Sequence, residues 1–410
     1  MAIAQVFARL VGGALPLRFQ AFDGSKAGPD DAEVGVEVRS PRALSYLATS
    51  PGSLGLARAY VAGDIEVSGD LYTALSRLAS MDLSMSLGDR ISTLRQLGGA
   101  KLLIPPPPPP QEVRLRGRRH SKARDQAAIA HHYDVSNKFY SWILGPSMAY
   151  TCAVYPSDTA TLEEAQYAKH DLVARKLALK PGMRLLDVGC GWGGMVMHAA
   201  KHYGVNAIGV TLSRRQAEWA QKAIAEEGLS DLAEVRYLDY RDLPPGRFDA
   251  ISSIGLTEHI GRAQLPGYFG FLLNRLETGG RLLNHCITRP NNTDPAIREQ
   301  MFINRYIFPD GELSGPGHLI GVMTDVGFEV RHEENLREHY AMTLAAWSRN
   351  LDANWDDAVA EVGLARARVW RLYLAGTRIG FERNEVQLHQ VLGVKLDAAG
   401  ASRMPLRPDW

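Results

Sequence analysis

The residues best suited to chemistry lie in one short segment, Leu186-Asp-Val-Gly-Cys-Gly-Trp-Gly-Gly194. An apolar run leads into closely spaced glycines, which let a backbone turn sharply and approach a ligand closely. A turn of this kind between a strand and a helix is typical of ligand sites at the carboxyl edge of a parallel sheet. The spacing also fits the GxGxxG pattern of dinucleotide sites, so the glycines alone do not identify the ligand.

Asp187, directly before the turn, separates two classes of ligand. Its carboxylate would repel a pyrophosphate, whereas S-adenosylmethionine (SAM) has no phosphate and carries cationic groups. The turn therefore favours SAM. Thr211 and Gln216 follow the next predicted strand, where a nucleotide-binding domain usually places an Asp or Glu for the ribose hydroxyls. Taken alone, Thr211 is also typical of a residue close to a helix N-terminus.

Alternating elements must position these residues. The apolar pattern predicts helices at 195–203 and 213–227 and strands at 183–188, 207–211, 233–238, 248–254 and 280–287. Strands that alternate with helices predict an α/β fold with a mostly parallel, doubly wound sheet.

Six consecutive prolines, Pro105 to Pro110, interrupt the chain before this part, and a strongly basic run follows. Such a proline run forms an extended spacer rather than a helix or a central strand. We predict a small α+β domain at 1–104, a Pro-rich and basic linker at 105–125, and a catalytic domain at 126–410. The basic run could contact anionic headgroups or be a solvated linker. The apolar segment Ile3 to Leu17 could lie on a membrane or pack on its own domain.

Composition narrows the class of protein. The 410 residues carry a formal net charge of +1, which gives no reason to expect a nucleic acid partner. Cys152, Cys190 and Cys286 are far apart and fit neither a disulfide framework nor a zinc site, so we expect no metal and a reducing cytoplasm. The sequence has no run of about 18 apolar residues and no signal-peptide pattern. A lipid substrate would then be reached from the membrane surface.

Further motifs occur in an order that resembles one family. They are His132-Tyr-Asp134, Tyr150-Thr-Cys152, Gly209-Val-Thr-Leu-Ser213, Leu238-Asp-Tyr-Arg-Asp-Leu243, Glu258-His-Ile-Gly261, Arg305-Tyr-Ile-Phe-Pro-Asp-Gly311, and Tyr340 with Thr343, Leu344 and Trp347. Together with the glycine turn they resemble the cyclopropane fatty acid synthases and the related mycolic acid methyltransferases, from about residue 126 to 395. The first hundred residues resemble the small N-terminal domain of the phospholipid-acting members.

The resemblance implies a class I SAM-methyltransferase fold, Rossmann-like with helical insertions. It implies a SAM site formed by Tyr150, Thr151, Gly189, Gly191, Thr211, Leu212, Gln216, Tyr240, Arg241 and Ile254, to which the argument from the turn adds Asp187. The family uses a Thr-Leu-Ser-x-x-Gln segment at Thr211, which accounts for the missing acidic residue. Thr151 stands where many members have Ser.

The resemblance also implies a bound bicarbonate, held by Cys152, Glu258, His285, Ile287 and Tyr340. His285 and the Tyr340 hydroxyl can donate hydrogen bonds, and Glu258 can accept one from the bicarbonate hydroxyl. Each side chain also has a simpler explanation. Glu258 could be a polar helix start, Cys152 a small buried hydrophobe, and His285 and Tyr340 ordinary core residues.

These resemblances imply C-methylation of a cis double bond in an unsaturated phospholipid. The alkene would attack the sulfonium methyl group, and a base would remove a proton from the resulting carbocation. Direct loss of a proton from the new methyl group closes a cyclopropane, whereas a hydride shift along the chain before the proton is lost leads to a methylene branch. The segments 145–155 and 381–390 resemble an actinobacterial branch, some members of which form 10-methylene chains, the precursors of tuberculostearic acid.

We therefore predict a methylene product, with a cyclopropane as the alternative and a small-molecule amine or sterol as a rival substrate. A methylene-forming enzyme would work with a flavin-dependent reductase. We also expect a homo-oligomer that is cytoplasmic and bound peripherally to the inner face of the membrane.

Overall fold

The computed structural model describes residues 2–10, 15–81, 92–93, 95–113, 117–122, 124–126, 135–297 and 301–410. It divides into two compact units. The first comprises Met1–Arg114, Arg298–Pro309 and Asn354–Ile379, and the second comprises Leu115–Ile297, Asp310–Ala353 and Gly380–Trp410. The first unit contains segments from both sides of residue 115, so the units do not follow the predicted chain order of two domains joined by a linker. The division into two domains and a linker stays a prediction.

The first unit contains a small sheet with the strand order β2-β1-β3-β4. These strands are β1 (Arg18–Ala21), β2 (Lys26–Ala27), β3 (Gly35–Val38) and β4 (Ile65–Ser68). Strands β1 and β3 are parallel, and the other neighbours are antiparallel. The helices at the start of this unit are α1 (Ile3–Leu10), α2 (Pro41–Thr49), α3 (Ser53–Val61) and α4 (Leu71–Ala79). A 3-10 turn follows at Gly99–Leu103. The arrangement is α+β, as the sequence predicts.

Helix α1 packs its apolar side within the first unit. Ile3 and Val6 are buried, and the Phe7 ring stacks on Phe19 with centroids 4.3 Å apart. Asp23 accepts a hydrogen bond from the Ile3 backbone N–H at 2.9 Å, so this turn residue also satisfies a free donor at the helix start. Of the two alternatives for the N-terminal segment, the described part follows the second.

The proline run also belongs to the first unit. The Tyr46 hydroxyl donates to the Pro107 carbonyl oxygen at 2.6 Å. Just after the prolines, the Glu112 carboxylate receives two hydrogen bonds from the Arg58 guanidinium, each 2.8 Å long. Their side chains are 5% and 13% exposed, so this ion pair is shielded from solvent. The first half of the predicted linker is therefore anchored by its neighbours.

The basic half of the predicted linker belongs to the second unit. Arg124 donates two hydrogen bonds to Asp310, at 2.6 and 2.7 Å, and Lys122 pairs with Asp242 at 2.6 Å. Residues 114–116 and 123 of this run lie outside the described residues. Two of the basic side chains are thus neutralised by acidic groups of their own unit.

The second unit is built on a seven-stranded sheet with the order β10-β11-β9-β8-β5-β6-β7. Its strands are β5 (Arg184–Val188), β6 (Asn206–Thr211), β7 (Ala233–Tyr237), β8 (Phe248–Ile254), β9 (Leu276–Thr288), β10 (Glu329–Asn335) and β11 (Gln387–Val394). Strands β5 to β9 pair in parallel, whereas β11 is antiparallel to both of its neighbours. This confirms the predicted mostly parallel, doubly wound sheet.

Helices cover this sheet, and their apolar faces bury it. They are α5 (Asn137–Leu144), α6 (Leu162–Lys176), α7 (Gly194–Tyr203), α8 (Arg214–Glu226), α9 (Thr257–Ile260), α10 (Leu265–Arg275), α12 (Pro316–Asp325) and α13 (Arg337–Ala353). Helices α11 (Phe302–Tyr306) and α14 (Trp355–Val362) belong to the first unit. Helix α15 (Leu364–Glu382) starts in the first unit and ends in the second.

The middle of the large sheet is buried. Leu185, Leu186 and Val188 of β5 are fully buried, as are Ala250 and Ile251 of β8. Over the described ranges, no helix has both the length and the apolar character needed to cross a bilayer.

Candidate active site

The glycine turn after β5 takes the shape that its sequence predicts. Gly189, Gly191 and Gly193 have φ angles of +77°, +54° and +82°, in the left-handed region that other residues rarely adopt. The turn ends at α7, so strand, turn and helix follow one another as in a nucleotide-binding site. At Gly189 a Cβ atom would lie 3.1 Å from the Leu256 side chain, so there is little room for any other residue.

Two adjoining clefts open at this turn, and both are walled by Gly189, Gly191, Gln216 and Gly255. The first holds about 690 Å³ and the second about 530 Å³ of space, part of it open to solvent. Of the residues predicted for SAM, the first cleft adds Thr211, Leu212, Tyr240 and Arg241. The second cleft adds Tyr150, Thr151, Asp187 and Ile254. The structure thus brings all eleven predicted residues to the walls of one bipartite groove.

The second cleft is lined by Asp187, Lys169 and His170, and burial holds the pKa of His170 well below its usual range. Asp187 is 2% exposed and accepts a hydrogen bond from the Ser252 hydroxyl at 2.6 Å, and burial raises its pKa to about 6. Lys169 is 1% exposed and donates to the Thr151 hydroxyl at 2.8 Å, and burial lowers its pKa to about 8. A carboxylate and an ammonium in one cleft are complementary to a zwitterionic amino acid, such as the methionine part of SAM.

The first cleft is shaped by a fixed arginine and by aromatic rings. Arg241 donates two hydrogen bonds to Asp239, at 2.8 and 2.6 Å, and one to Asp125 at 3.1 Å. The Tyr240 ring meets the Tyr268 ring edge-on, with centroids 5.2 Å apart. These contacts restrict the rotamers of Arg241 and Tyr240, so the walls are largely preformed.

Glu258 lies in the first turn of α9, just after β8, and is 8% exposed. Its Oε1 accepts a hydrogen bond from the Ile287 backbone N–H at 2.6 Å. Its Oε2 is buried and has no hydrogen-bond partner in the described part of the chain. Burial raises the pKa of this carboxyl to about 7. Glu258 is therefore not a solvated helix-start residue, because one face of it is bonded to β9 and the other lacks a partner.

His285 lies on β9, two residues before Ile287, and is fully buried. Its Nδ1 lies 3.2 Å from the Gln390 side-chain nitrogen, while its Nε2 has no partner among the described residues. Burial, together with the positive charges of Lys169 and Lys176, holds the pKa of the ring well below its usual range. His285 is therefore a neutral imidazole with one unsatisfied nitrogen.

Cys152 and the backbone of Tyr340 both lie near the Leu336 carbonyl oxygen, just before α13. The Cys152 thiol lies 3.8 Å from the Leu336 carbonyl oxygen, which also accepts the Tyr340 backbone N–H at 3.2 Å. The Tyr340 ring lies 4.5 Å from Phe381 between centroids and 6.1 Å from Trp347. Burial raises the pKa of the Cys152 thiol, so this side chain is neutral and unsuited to act as a nucleophile.

Of the five residues predicted for bicarbonate, Glu258 and Ile287 are hydrogen-bonded to each other, and His285 lies two residues before Ile287 on β9. Lys169 lies close enough to Cys152, Asp187 and His285 to perturb the pKa of all three. Cys152 and His285 are therefore close to the groove that the two clefts form, called the cofactor groove below. His132, Tyr133 and Asp134 of the motif comparison lie outside the described residues. In the part of the chain that is described, no cluster of His, Cys, Asp or Glu could hold a metal ion.

Sequence reasoning missed several polar residues of the site. Lys169 and Lys176 lie on the buried side of α6 together with Leu172 and Val173, so a lysine on an apolar helical stripe was the available signal. Gln390 likewise lies fully buried within the apolar strand β11. Buried polar groups in apolar surroundings are costly unless they are bonded, which makes such positions candidates for function.

Comparisons with known proteins agree with this geometry. A family model described as mycolic acid cyclopropane synthetase matches residues 120–391. A probable fatty acid methyltransferase of Mycobacterium tuberculosis is 55% identical over 409 residues, covering 97% of this chain and 95% of the relative. One of Pseudomonas putida is 38% identical over 396 residues, covering 95% of each chain.

The fold of the second unit also has close counterparts among solved structures. The crystal structure of mycolic acid cyclopropane synthase CmaA1, complexed with SAH and CTAB, matches with a TM-score of 0.62 and 33% sequence identity. The match covers 65% of this chain and 97% of that one.

Proposed function

The chain belongs to the mycolic acid cyclopropane synthetase family and is a SAM-dependent methyltransferase. On this premise we propose that it methylates a cis double bond in the acyl chain of an unsaturated phospholipid. The two full-length relatives are described as fatty acid methyltransferases, which supports a fatty acyl substrate. The proposed product is a methylene-branched chain, the 10-methylene type. A cyclopropane ring formed from the same carbocation is the second candidate.

One observation carries the choice of an alkene substrate. Glu258 and His285 are buried beside the cofactor groove, and each has one atom without a hydrogen-bond partner among the described residues. These atoms are the acceptor Oε2 of Glu258 and the Nε2 of the neutral His285 ring. Methylation of an alkene needs no activated nucleophile on the enzyme. It needs a shielded base, because the carbocation must lose a proton before water adds to it. A neutral Cys152 and a buried, unsatisfied polar pair fit that requirement.

The chemistry of these residues fits bicarbonate, the small anion that the family resemblance implies here. Its hydroxyl group matches an acceptor such as Glu258 Oε2, and its anionic oxygens match a donor such as His285 Nε2. Tyr340, Cys152 and the Ile287 backbone would complete the set. When bound, bicarbonate would supply a base for the proton and a negative charge near the carbocation.

SAM would supply the electrophilic methyl group, and this chain's residues would orient it. Asp187 and Lys169 would pair with the two charged groups of the methionine part, and the glycine turn would let the backbone approach it. Thr211, Gln216 and Tyr240 would bind the adenosine part. The Tyr340, Trp347 and Phe381 rings would exclude water from the reacting carbons, and their faces favour a nearby positive charge.

Other parts of the proposal concern the cell. We propose that the protein acts in the cytoplasm, bound peripherally to the inner face of the membrane, and that it forms a homo-oligomer. If the product is methylene-branched, a flavin-dependent reductase would convert it to a methyl branch.

The test uses the purified full chain, SAM with an isotope-labelled methyl group, and vesicles of oleoyl phospholipid. We expect mass spectrometry of the acyl chains to show a gain of one CH2 unit, and NMR to separate a methylene product from a cyclopropane of equal mass. Vesicles of a saturated phospholipid are the matched control and should gain no label. Label in soluble amines but not in lipid would overturn the phospholipid substrate and favour a small-molecule methyltransferase.

A further inference from the structure

A row of polar side chains runs across three neighbouring strands and ends at His285. The strand register places Glu334 of β10 opposite Gln390 of β11, and Gln390 opposite His285 of β9. On the other side, His285 is opposite Ile254 of β8, which lines the cofactor groove. Gln390 and His285 are both 0% exposed. Because buried polar groups are costly unless bonded, this row needs an explanation beyond packing.

Lys176, the last residue of α6, fixes the orientation of the Gln390 amide. Its side chain is fully buried, and its Nζ lies 2.5 Å from Glu334 Oε2 and 2.8 Å from Gln390 Oε1. An ammonium group only donates hydrogen bonds, so the atom that it meets on Gln390 must be the carbonyl oxygen. The amide nitrogen of Gln390 then faces His285 Nδ1, at 3.2 Å.

We propose that Lys176 and Gln390 are positioning residues that hold His285 in the tautomer with its proton on Nε2. The amide NH2 of Gln390 donates, so His285 Nδ1 must accept and carries the lone pair. A neutral imidazole then carries its single proton on Nε2, which is the atom without a partner in the described chain. Lys176 fixes the orientation of the Gln390 amide and, through that amide, the tautomer of His285.

This assignment decides what His285 can bind. With the proton on Nε2 the ring offers a hydrogen-bond donor, which suits an anion. The opposite tautomer would present a lone pair and would repel the same anion. Burial and the neighbouring charges of Lys169 and Lys176 lower the pKa of His285, so a second proton does not remove the distinction. The tautomer follows from contacts alone, whereas its use in catalysis rests on the bicarbonate site of the proposed function.

The decisive variant is Gln390→Glu. The side chain keeps its length and still offers an oxygen to Lys176, so the buried ammonium keeps a partner. The atom facing His285 Nδ1 becomes a carboxylate oxygen, which only accepts, so the proton must move to Nδ1. We expect 15N NMR of histidine-labelled protein to show Nδ1 unprotonated in the wild type and protonated in this variant. The His285→Asn variant identifies the His285 signals.

Kinetics provide the second readout. In buffer depleted of carbon dioxide, we expect Gln390→Glu to raise the bicarbonate concentration for half-maximal rate at least tenfold. The Kd for SAM, measured by calorimetry, should stay within about twofold. Lys176→Met removes the ammonium that orients the amide, and it should populate both tautomers with a smaller rise. This variant keeps the test open if Gln390→Glu does not fold.

Thr288→Val is the matched control. Thr288 is fully buried on the same strand pair, and its hydroxyl lies 2.8 Å from His389 Nδ1. Its position on β9 differs from that of His285 by an odd number of residues, so it faces the other side of the sheet. It should change neither the His285 signals nor the bicarbonate dependence. An equal rise in this control would show that the effect is general destabilisation, and it would overturn the inference.

Two further outcomes separate the inference from the proposed function. A protonated Nδ1 in the wild type would overturn the tautomer and leave the proposed function standing. A wild-type rate that does not respond to bicarbonate, with an unprotonated Nδ1, would overturn the bicarbonate site and support the tautomer assignment.

Discussion

The cofactor groove and the proposed anion site lie at the same sheet but are built differently. Many residues of the groove lie in short segments at the ends of β5 and β6, where one turn of backbone brings several of them together. The proposed anion site comprises Cys152, Glu258, His285, Ile287 and Tyr340. Its contacts run between distant segments of the chain: Glu258 bonds to Ile287, and Cys152 lies near Leu336 at the start of α13. The groove therefore depends on local backbone conformation, and the anion site on tertiary contacts.

This difference predicts a separation of effects. Changes in the groove should weaken the binding of SAM, because its side chains contact the cofactor in both the ground state and the transition state. Changes in the anion site should leave the binding of SAM intact and slow the chemical step.

The largest effect is expected for Glu258→Gln. The amide keeps an oxygen for the Ile287 N–H but replaces the acceptor Oε2 with a donor. We expect turnover at saturating SAM to fall by about 10²- to 10³-fold, the range typical of a lost acid–base contribution. Calorimetry should give an unchanged Kd for SAM. A parallel loss of SAM affinity would break the separation between the two sites.

The converse change is Asp187→Asn in the groove. It removes a buried negative charge while keeping the shape and the contact with Ser252. Loss of a charge-assisted hydrogen bond should weaken SAM binding by roughly 10- to 100-fold. Turnover at saturating SAM should change little, and a steady-state titration of SAM separates the two parameters. A fall in turnover with normal SAM affinity would place Asp187 in the chemical step instead.

Stability should depend on pH through Glu258. Its pKa is about 7 in the folded protein against an ordinary value of 4.5, so the folded state binds more protons between those values. Stability therefore falls as pH rises from about 4.5 to about 7. The Glu258→Gln variant has no titratable group at this position, so only the wild type loses this stability. The free energy of unfolding of the variant relative to that of the wild type should therefore rise by roughly 1–3 kcal/mol between pH 5 and pH 8. Urea unfolding at both pH values measures the change.

An apolar control makes that measurement specific. Leu272→Ala removes a fully buried side chain from α10 and leaves no titratable group changed. Its destabilisation should be the same at pH 5 and pH 8. A pH-dependent difference in this control, or none in Glu258→Gln, would contradict the raised pKa of Glu258.

The smallest effect is expected for Thr288→Val, on the opposite face of β9. Loss of the hydrogen bond to His389 should lower the free energy of unfolding by about 1 kcal/mol. Turnover should stay within about twofold of wild type, measured in the labelled-SAM assay. A large loss of turnover would mean that the anion site extends through the sheet.

The same contrast explains what the sequence could predict. The turn at Gly189, the strands on either side of it and the helix after it follow from glycine spacing and apolar periodicity, which are local properties. Strand β8 was predicted with its observed bounds, Phe248–Ile254. The residues of the groove could be named because each belongs to a motif tied to such an element.

The row from Glu334 through Gln390 to His285 could not be predicted in this way. Strand β10 reads Glu-Val-Arg-His-Glu-Glu-Asn and lies at the sheet edge, so its polar residues hide the strand pattern. Strand register is set by long-range pairing and is absent from a single sequence. The interleaving of the two units has the same cause, because segments such as 354–379 pack with residues far away in the chain.

The most direct test of the account is the response of the wild-type rate to bicarbonate. Purified protein, depleted of carbon dioxide, is given saturating labelled SAM and oleoyl phospholipid vesicles, and the initial rate of label transfer is measured while bicarbonate is added back. We expect a low rate that rises to saturation, with no change in the Kd for SAM. A full rate without bicarbonate would contradict the proposed role of Glu258 and His285.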